Sequence, residues 1–413
     1  MSDPEILRIN GERLWASLMT MAKIGATSGG GCDRLALTDL DREARDLFVS
    51  WCEEAGCKVH VDPIGNIFAR RAGSDSSLPS VLAGSHLDTQ PSGGRFDGVY
   101  GVLAGLEVVR TLNDAGFETS GPIDIVSWTN EEGARFAPAM LGSGVWAGEF
   151  SLEESYQILD KQGLSIGTEL QRIGYRGDAI ADDSRPKAAF EVHIEQGPVL
   201  EKENLQIGVV TGVQGIRWYD LVVDGQSCHA GTTPMDVRTD PVKTTIGILA
   251  QIFDLIDATD SDARVTFGDI NTHPGTRNTV PDQVNVTVDL RHPDDEVLQQ
   301  LESAIRGIVS EAARSAGFSA VLRDKWGSVA IKFNDDCIAA VSTAIKHLGY
   351  SHRNIVSGAG HDAVYVSRVS PTSMIFVPCE NGLSHTESEN AKPEDIEAGC
   401  NVLLHAMLDR DRN

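Results

Sequence analysis

Four short segments carry histidines and carboxylates in patterns that metal-assisted hydrolysis uses. The first is Gly84-Ser85-His86-Leu87-Asp88-Thr89, followed by Gly93-Gly94-Arg95-Phe96-Asp97-Gly98. In an extended chain, residues two apart face the same side, so His86 and Asp88 point together. A carboxylate beside a histidine suits a metal-ligating imidazole and the group that orients it. Asp97 stands in a glycine-rich turn before a helix-like segment, a place from which a carboxylate can bridge two metals. The second segment is Thr129-Asn130-Glu131-Glu132-Gly133, the third His193-Ile194-Glu195-Gln196-Gly197, the fourth Gly382-Leu383-Ser384-His385. Glu131 and Glu132 repel each other, so a cation should offset them. One can then bind metal while the other faces an attacking water.

A closed zinc site uses four ligands, whereas a hydrolytic site keeps a position open for water. Two metals sharing a carboxylate are a known arrangement for amide hydrolysis. His86, Asp97, Glu132, His193 and His385 supply that ligand count. Glu131 is left as general base and Asp88 as orienter of His86. Taken singly, each histidine reads as a structural residue at a strand end, and the Glu131-Glu132 pair as a solvated turn. Their combined order and context point to a site. Gly142-Ser143-Gly144 and Gly358-Ala359-Gly360 fit a loose nucleotide-binding pattern but lack its strand–turn–helix context. The chain has no HExxH and no GxSxG. Cys228 beside His229 is compatible with a thiol nucleophile, but a small turn or strand cysteine is the simpler reading.

The elements that must position these segments alternate. Ser80–Ser85, Ile123–Trp128 and Ala188–Ile194 read as strands, and Val99–Leu112 as a helix with apolar residues at helical spacing. Strands separated by helices predict an α/β domain with a mixed sheet and helices on both faces. Its site should lie where the strands end. Between 213 and 328 the pattern becomes βαββαβ: strand 215–225, helix 240–258, strands 264–270 and 283–290, helix 294–316 and strand 319–323. That order predicts a smaller ferredoxin-like α+β domain inserted into the first, which then comprises 1–212 and 329–413. Val284 to Leu290 is expected at a sheet edge.

Composition sets outer limits. The chain has 413 residues, with 60 acidic and 35 basic side chains, a net charge of −25 and 41% hydrophobic residues. Two domains with sizeable cores fit this length. The acidity argues against a nucleic-acid partner and against a polybasic membrane-surface protein. No apolar run approaches a membrane span, and the N-terminal MSDPEILRINGERLW lacks the apolar stretch of a signal peptide. Seven cysteines with no CxxC pair do not read as a disulfide framework. A cytoplasmic location with reduced thiols is expected.

The segments GSHLDTQPSGGRFDGVYGVLAGLEV, NEEGARF, HIEQGPVLE, HAGTTPMDVRTDP, SGAGHDA and PTSMIFVPCENGLSH resemble those of the N-carbamoyl amino acid amidohydrolases. This is the hydantoinase/carbamoylase family within the dinuclear-metal aminoacylase and peptidase clan, and the resemblance spans nearly the whole chain. It implies two divalent ions per subunit (zinc, manganese or cobalt) held by His86, Asp97, Glu132, His193 and His385, with Asp97 bridging. It also implies Glu131 as base and Asp88 as orienter. Gln196 is implied at the ureido group, His229 at the oxyanion, Asn278 near the substrate and Arg291 at the substrate carboxylate. Gly360 and His361 complete the implied pocket. The implied reaction converts an N-carbamoyl amino acid to amino acid, ammonia and carbon dioxide, in the manner of an L-carbamoylase or β-ureidopropionase. The implied assembly is a homodimer built through the inserted domain, with His229 reaching the partner's site. Allantoate amidohydrolase, an aminoacylase or dipeptidase, a non-catalytic binding protein and a cysteine-dependent amidase are the alternatives.

Overall fold

The computed structural model describes residues 7–178 and 185–413. The chain forms two compact units: the described residues up to Thr211 together with Phe333–Asn413, and Gly212–Lys332. The second boundary falls later than the sequence pattern suggests. The short strand Ile331–Lys332 pairs with Gly212 and Val213, and so closes the insert where it opens.

The larger unit is built on four parallel strands, in the order Ile123–Trp128, Val81–His86, Ala188–Ile194 and Thr372–Val377. Every residue in them is buried. This is why they read as near-continuous apolar runs rather than alternating ones. Lys58–Val61 and Ile67–Arg71 extend one side and Ile207–Val213 the other, all antiparallel, which makes the sheet mixed. The helices Val99–Asp114 and Pro393–Arg412 pack on Val81–His86 and Ala188–Ile194. The approach is close because Gly101 has no side chain: a Cβ there would lie 2.7 Å from the Ser85 Cβ and 2.8 Å from the Val192 carbonyl oxygen. On the opposite face Phe68, Leu82, Val126, Trp128 and Ala189 of the sheet are covered by Val366 and Trp146. With both faces covered, the open carboxyl ends of the parallel strands are the place for chemistry.

The insert has the βαββαβ order, with sheet order Ala320–Ser328, Gly215–Asp224, Gln283–His292, then Arg264–Thr266 and Ile270–His273. Helices Pro241–Asp257 and Asp295–Ala316 cover one face, against Val284, Val286, Val288 and Leu290. Two expectations are corrected. The strand expected over 264–270 is two strands, separated where the Asp269 N–H donates to Thr287 Oγ1 at 2.9 Å and interrupts the ladder. The Val284–Leu290 strand is central, paired on both sides, because strand pairing is non-local and alternation reveals only which face is buried. One true edge is Ala320–Ser328, which carries a bulge between Asp324 and Trp326 and the charges Arg323, Asp324 and Lys325. Both devices deter unwanted strand pairing.

A buried ion pair ties the helix Asp39–Glu54 to the loops behind the site. Arg45 and Asp41 are fully buried one helical turn apart, with Nε to Oδ2 at 2.8 Å. The guanidinium also donates to the Gly65 carbonyl at 2.7 Å and to Thr129 Oγ1 at 3.3 Å. Thr129 opens the segment that carries Glu131. Removing one partner strands the other as a buried charge. Arg45→Ala is therefore expected to cost about 3–5 kcal/mol. The check is urea unfolding followed by near-ultraviolet circular dichroism, where an unchanged midpoint would contradict it.

Candidate metal centre

The strand Val81–His86 ends on an imidazole. His86 Nδ1 lies 2.9 Å from the Asp88 backbone carbonyl and 3.8 Å from the Asp88 carboxylate. The carbonyl can only accept, so Nδ1 carries the proton and Nε2 presents a lone pair. That lone pair faces Glu131 Oε2 at 3.4 Å and Asp97 Oδ1 at 3.6 Å. The Asp88 carboxylate has another task than the one expected of it. Its two oxygens accept the backbone N–H groups of Glu131 and Glu132, at 3.2 and 3.3 Å. It orients the carboxylate turn, and its main chain orients the histidine.

His193, near the end of Ala188–Ile194, repeats the logic. Its Nδ1 meets the Ile194 carbonyl at 2.9 Å, while Nε2 accepts the Gly98 N–H at 3.1 Å and lies 3.1 Å from Asp97 Oδ1. Gly98 has φ +66°, and a Cβ there would sit 2.3 Å from the His86 ring. Only glycine lets this turn pass between the two histidines. The other oxygen of Asp97, Oδ2, lies 3.3 Å from His385 Nε2, which in turn is 3.6 Å from Glu132 Oε2. Asp97 thus belongs to two groups of donors, His86–Asp97–His193 and Asp97–Glu132–His385, with one oxygen toward each. The structure brings all five expected ligands and Glu131 around this one side chain.

The electrostatics call for added positive charge. Burial raises Glu131 well above the usual carboxylate range, reinforced by Asp362, Glu132 and Asp88 against the opposing pull of His86. Burial, with Asp97 nearby, also raises Glu132, to about 7. Asp97 goes the other way: burial opposes its ionisation, but His193, His385 and His86 together hold it well below the normal range. The imidazoles respond in kind: burial opposes their protonation, but Glu131 and Asp97 hold His86 above the usual histidine range, and Asp97 does the same for His193. A divalent cation resolves both shifts. The donors are nitrogen and oxygen only, a set that suits zinc, manganese or cobalt.

Several supporting residues have no sequence signal of their own. Glu389 is buried, and its Oε1 accepts the N–H groups of Phe96 and Asp97 at 2.9 and 3.2 Å. Its Oε2 accepts from Ser384 Oγ at 2.9 Å, which fixes the His385 loop to the Asp97 turn. Gln90 donates to Glu132 from its backbone and from its amide, at 3.1 and 2.8 Å. Gln196 directs its amide NH₂ to Asp97 Oδ2 at 2.8 Å and to Ser384 at 3.1 Å, leaving Oε1 buried without a hydrogen bond. His361 is buried with its ring 4.7 Å from that of His193, and its Nε2 is 3.0 Å from Ser357 Oγ. Gly360 lies beside it in the same loop.

The remaining three expected residues lie in the insert. His229 is exposed, and its Nδ1 accepts the N–H groups of Gly231 and Thr232 at 3.0 and 3.2 Å. That leaves Nε2 as the ring nitrogen that can donate. His229 pairs with Thr279 in a two-stranded ribbon, and the neighbouring Asn278 carbonyl accepts the Ala230 N–H at 3.0 Å. Arg291 is on the helix-free face of its strand. Its Nε and one Nη donate to the two oxygens of Asp289, both at 2.8 Å.

The sequence profile of Peptidase family M20/M25/M40 matches residues 82–409. The chain is 46% identical over 402 residues to the N-carbamoyl-L-amino-acid amidohydrolase of Rhizobium meliloti, covering 97% of each chain. It is 31% identical to the allantoate amidohydrolase of Bacillus subtilis, covering 94% of each. A crystal structure of a hydantoinase/carbamoylase family amidase from Burkholderia multivorans superposes with a TM-score of 0.96 at 52% identity, covering 98% of this chain and 99% of that one. With a profile match across most of its length and donors gathered around one carboxylate, the chain belongs to the M20/M25/M40 peptidase family.

Proposed function

We propose that this chain hydrolyses N-carbamoyl amino acids to the free amino acid, ammonia and carbon dioxide, with two divalent metals per subunit. The observation that carries this reading is Asp97, whose two oxygens face two separate donor groups. The similarity to the Rhizobium meliloti amidohydrolase supports the substrate class over allantoate, whose amidohydrolase is the more distant relative.

His86, His193, Glu132 and His385 would hold the metals with Asp97 between them. When bound, these ions polarise the ureido carbonyl and acidify water. Glu131, which bound cations would leave ionised, accepts the water proton and hands it to the leaving amino nitrogen. Gln196 Oε1, a buried acceptor, suits an N–H of the ureido group. The Nε2–H of His229 suits the developing oxyanion. Asp289 fixes the plane of the Arg291 guanidinium, which reads the substrate carboxylate as a fork. The bond between carbamoyl carbon and amino nitrogen breaks, and the released carbamate decomposes.

The insert serves as dimerisation and lid domain in this reading. Ile246 and Phe253, seven residues apart on the helix Pro241–Asp257, are 63% and 48% exposed, which supports a self-complementary contact. Cytoplasmic placement is supported by seven free cysteines, six of them buried. Among the described residues, no helix is long and apolar enough to cross a membrane.

Four outcomes are expected. Chelation abolishes ammonia release from N-carbamoyl-L-methionine, and zinc, manganese or cobalt restores it. Glu131→Gln retains metal by elemental analysis and loses at least about 10²–10⁴-fold in kcat. Full activity of verified metal-free protein, or better turnover of allantoate in the same assay, would overturn the reading. Arg291→Lys keeps the charge but loses the planar fork. It should lower kcat/KM by about 1.5–3 kcal/mol, mostly through KM, measured by initial rates. Finally, a Glu131→Gln subunit mixed with a His229→Ala subunit, each inactive alone, should regain a fraction of wild-type activity. Heterodimers confirmed by native mass spectrometry yet inactive would show that His229 does not act in trans.

A further inference from the structure

The segment that follows the candidate base returns to it. Beyond Asn130, Glu131 and Glu132 the chain loops out and comes back at Met140–Gly142. There the N–H of Met140 donates to the Glu131 carbonyl at 2.6 Å, that of Leu141 to Asn130 at 3.2 Å and that of Gly142 to Thr129 at 2.8 Å. Met140 has φ 53° and ψ 35°, a left-handed conformation that a methionine adopts at a cost. Strain of this kind persists only where the surroundings over-determine it, and it gathers at functional sites.

The surroundings are on the page. A Cβ placed on Gly360 would lie 3.1 Å from Met140 Cε and 3.3 Å from Sδ. The thioether end therefore rests on a glycine, next to His361. Ser143, one turn beyond Met140, locks this arrangement. Its hydroxyl lies 3.1 Å from the Met140 carbonyl and 2.5 Å from Asp362 Oδ1. The hydroxyl donates its single proton to Asp362 at the shorter distance and so ties the start of this helix to the residue after His361. The backbone of Met140 is thus bound to the base segment, and its side chain lies across the Gly360–His361 loop. That side chain is partly exposed beside a buried polar centre.

We infer that the Met140 thioether is the wall that limits the bulk of the substrate's amino acid side chain in the reaction proposed above. It is apolar, unbranched and polarisable, so it can yield to different side chains while still excluding volume. Gly360 gives it room to do so. Met140 makes no bond to a reacting atom in this role; it sets specificity.

The test is a ratio, because a purely structural defect lowers all rates together. Wild type, Met140→Ala, Met140→Leu and Met140→Phe are assayed as metal-loaded enzyme for kcat/KM on N-carbamoyl-L-alanine and N-carbamoyl-L-phenylalanine. One methylene more or less in an apolar pocket changes discrimination by about 10–200-fold. The phenylalanine-to-alanine ratio should rise about tenfold or more in Met140→Ala and fall comparably in Met140→Phe. If Met140→Ala does not fold, as judged by its thermal transition, the Leu and Phe variants carry the comparison, with Leu near wild type and Phe well below. Ratios within twofold of wild type in every active variant would overturn the assignment while leaving the reaction intact. A wild-type enzyme that hydrolyses neither compound would overturn the reaction and the assignment together.

Discussion

A single buried carboxylate organises this molecule. Asp97 is nearly inaccessible to solvent, yet its two oxygens face three imidazole nitrogens that come from three distant parts of the chain. Around it stand four more buried or nearly buried acids: Asp88, Glu131, Glu132 and Glu389. Such a gathering of negative charge in a low-dielectric pocket is unfavourable by itself, since each ion loses its water and repels the others. Nothing in the hydrophobic core offsets that. The offset must come from the imidazoles and from bound cations, so folding of the site and metal binding are linked processes.

The scaffold is arranged to hold the acids in place from behind. Asp88 grips the backbone of Glu131 and Glu132, Glu389 grips the backbone of Phe96 and Asp97, and Arg45 reaches Thr129. Asn130, Met140, Gln196 and His385 are all non-glycine residues with positive φ, between 53° and 56°. Four such residues in the segments around one centre mean that the backbone is bent to aim side chains. The cost is met by the packed sheet beneath, whose strands are buried from end to end.

In the proposed reading the two units would supply different kinds of group. The larger unit holds the candidate metal donors and the acids. The insert carries His229, with Nε2 left as its donating nitrogen by two backbone amides, and Arg291, with its plane fixed by Asp289. In both cases a neighbour within the insert has oriented the polar group beforehand. Preorganisation of this type lowers the reorganisation needed when charge develops.

Much of this was legible in the sequence. Continuous apolar runs gave the parallel strands, because strands covered on both faces need no polar positions. The switch to alternating and helical periods gave the βαββαβ insert. His86, Asp97, Glu131, Glu132, His193 and His385 stood out because strand ends and glycine turns rarely carry such residues in this order. What periodicity could not give was who sits beside whom. The strand from Val284 to Leu290 read as an edge, yet it is central, since alternation reports a buried face and not a neighbour. Asp88 read as the partner of His86 by its two-residue spacing. Folding instead assigned its carbonyl to the imidazole and its carboxylate to amides more than 40 residues away. Glu389 had no sequence signal, and the pairing of Ser143 with Asp362 could not be read, because both depend on contacts across hundreds of residues. Local sequence determines residue type, period and turn, whereas a charge cluster is assembled by long-range packing, and only the tertiary structure decides which oxygen faces which nitrogen.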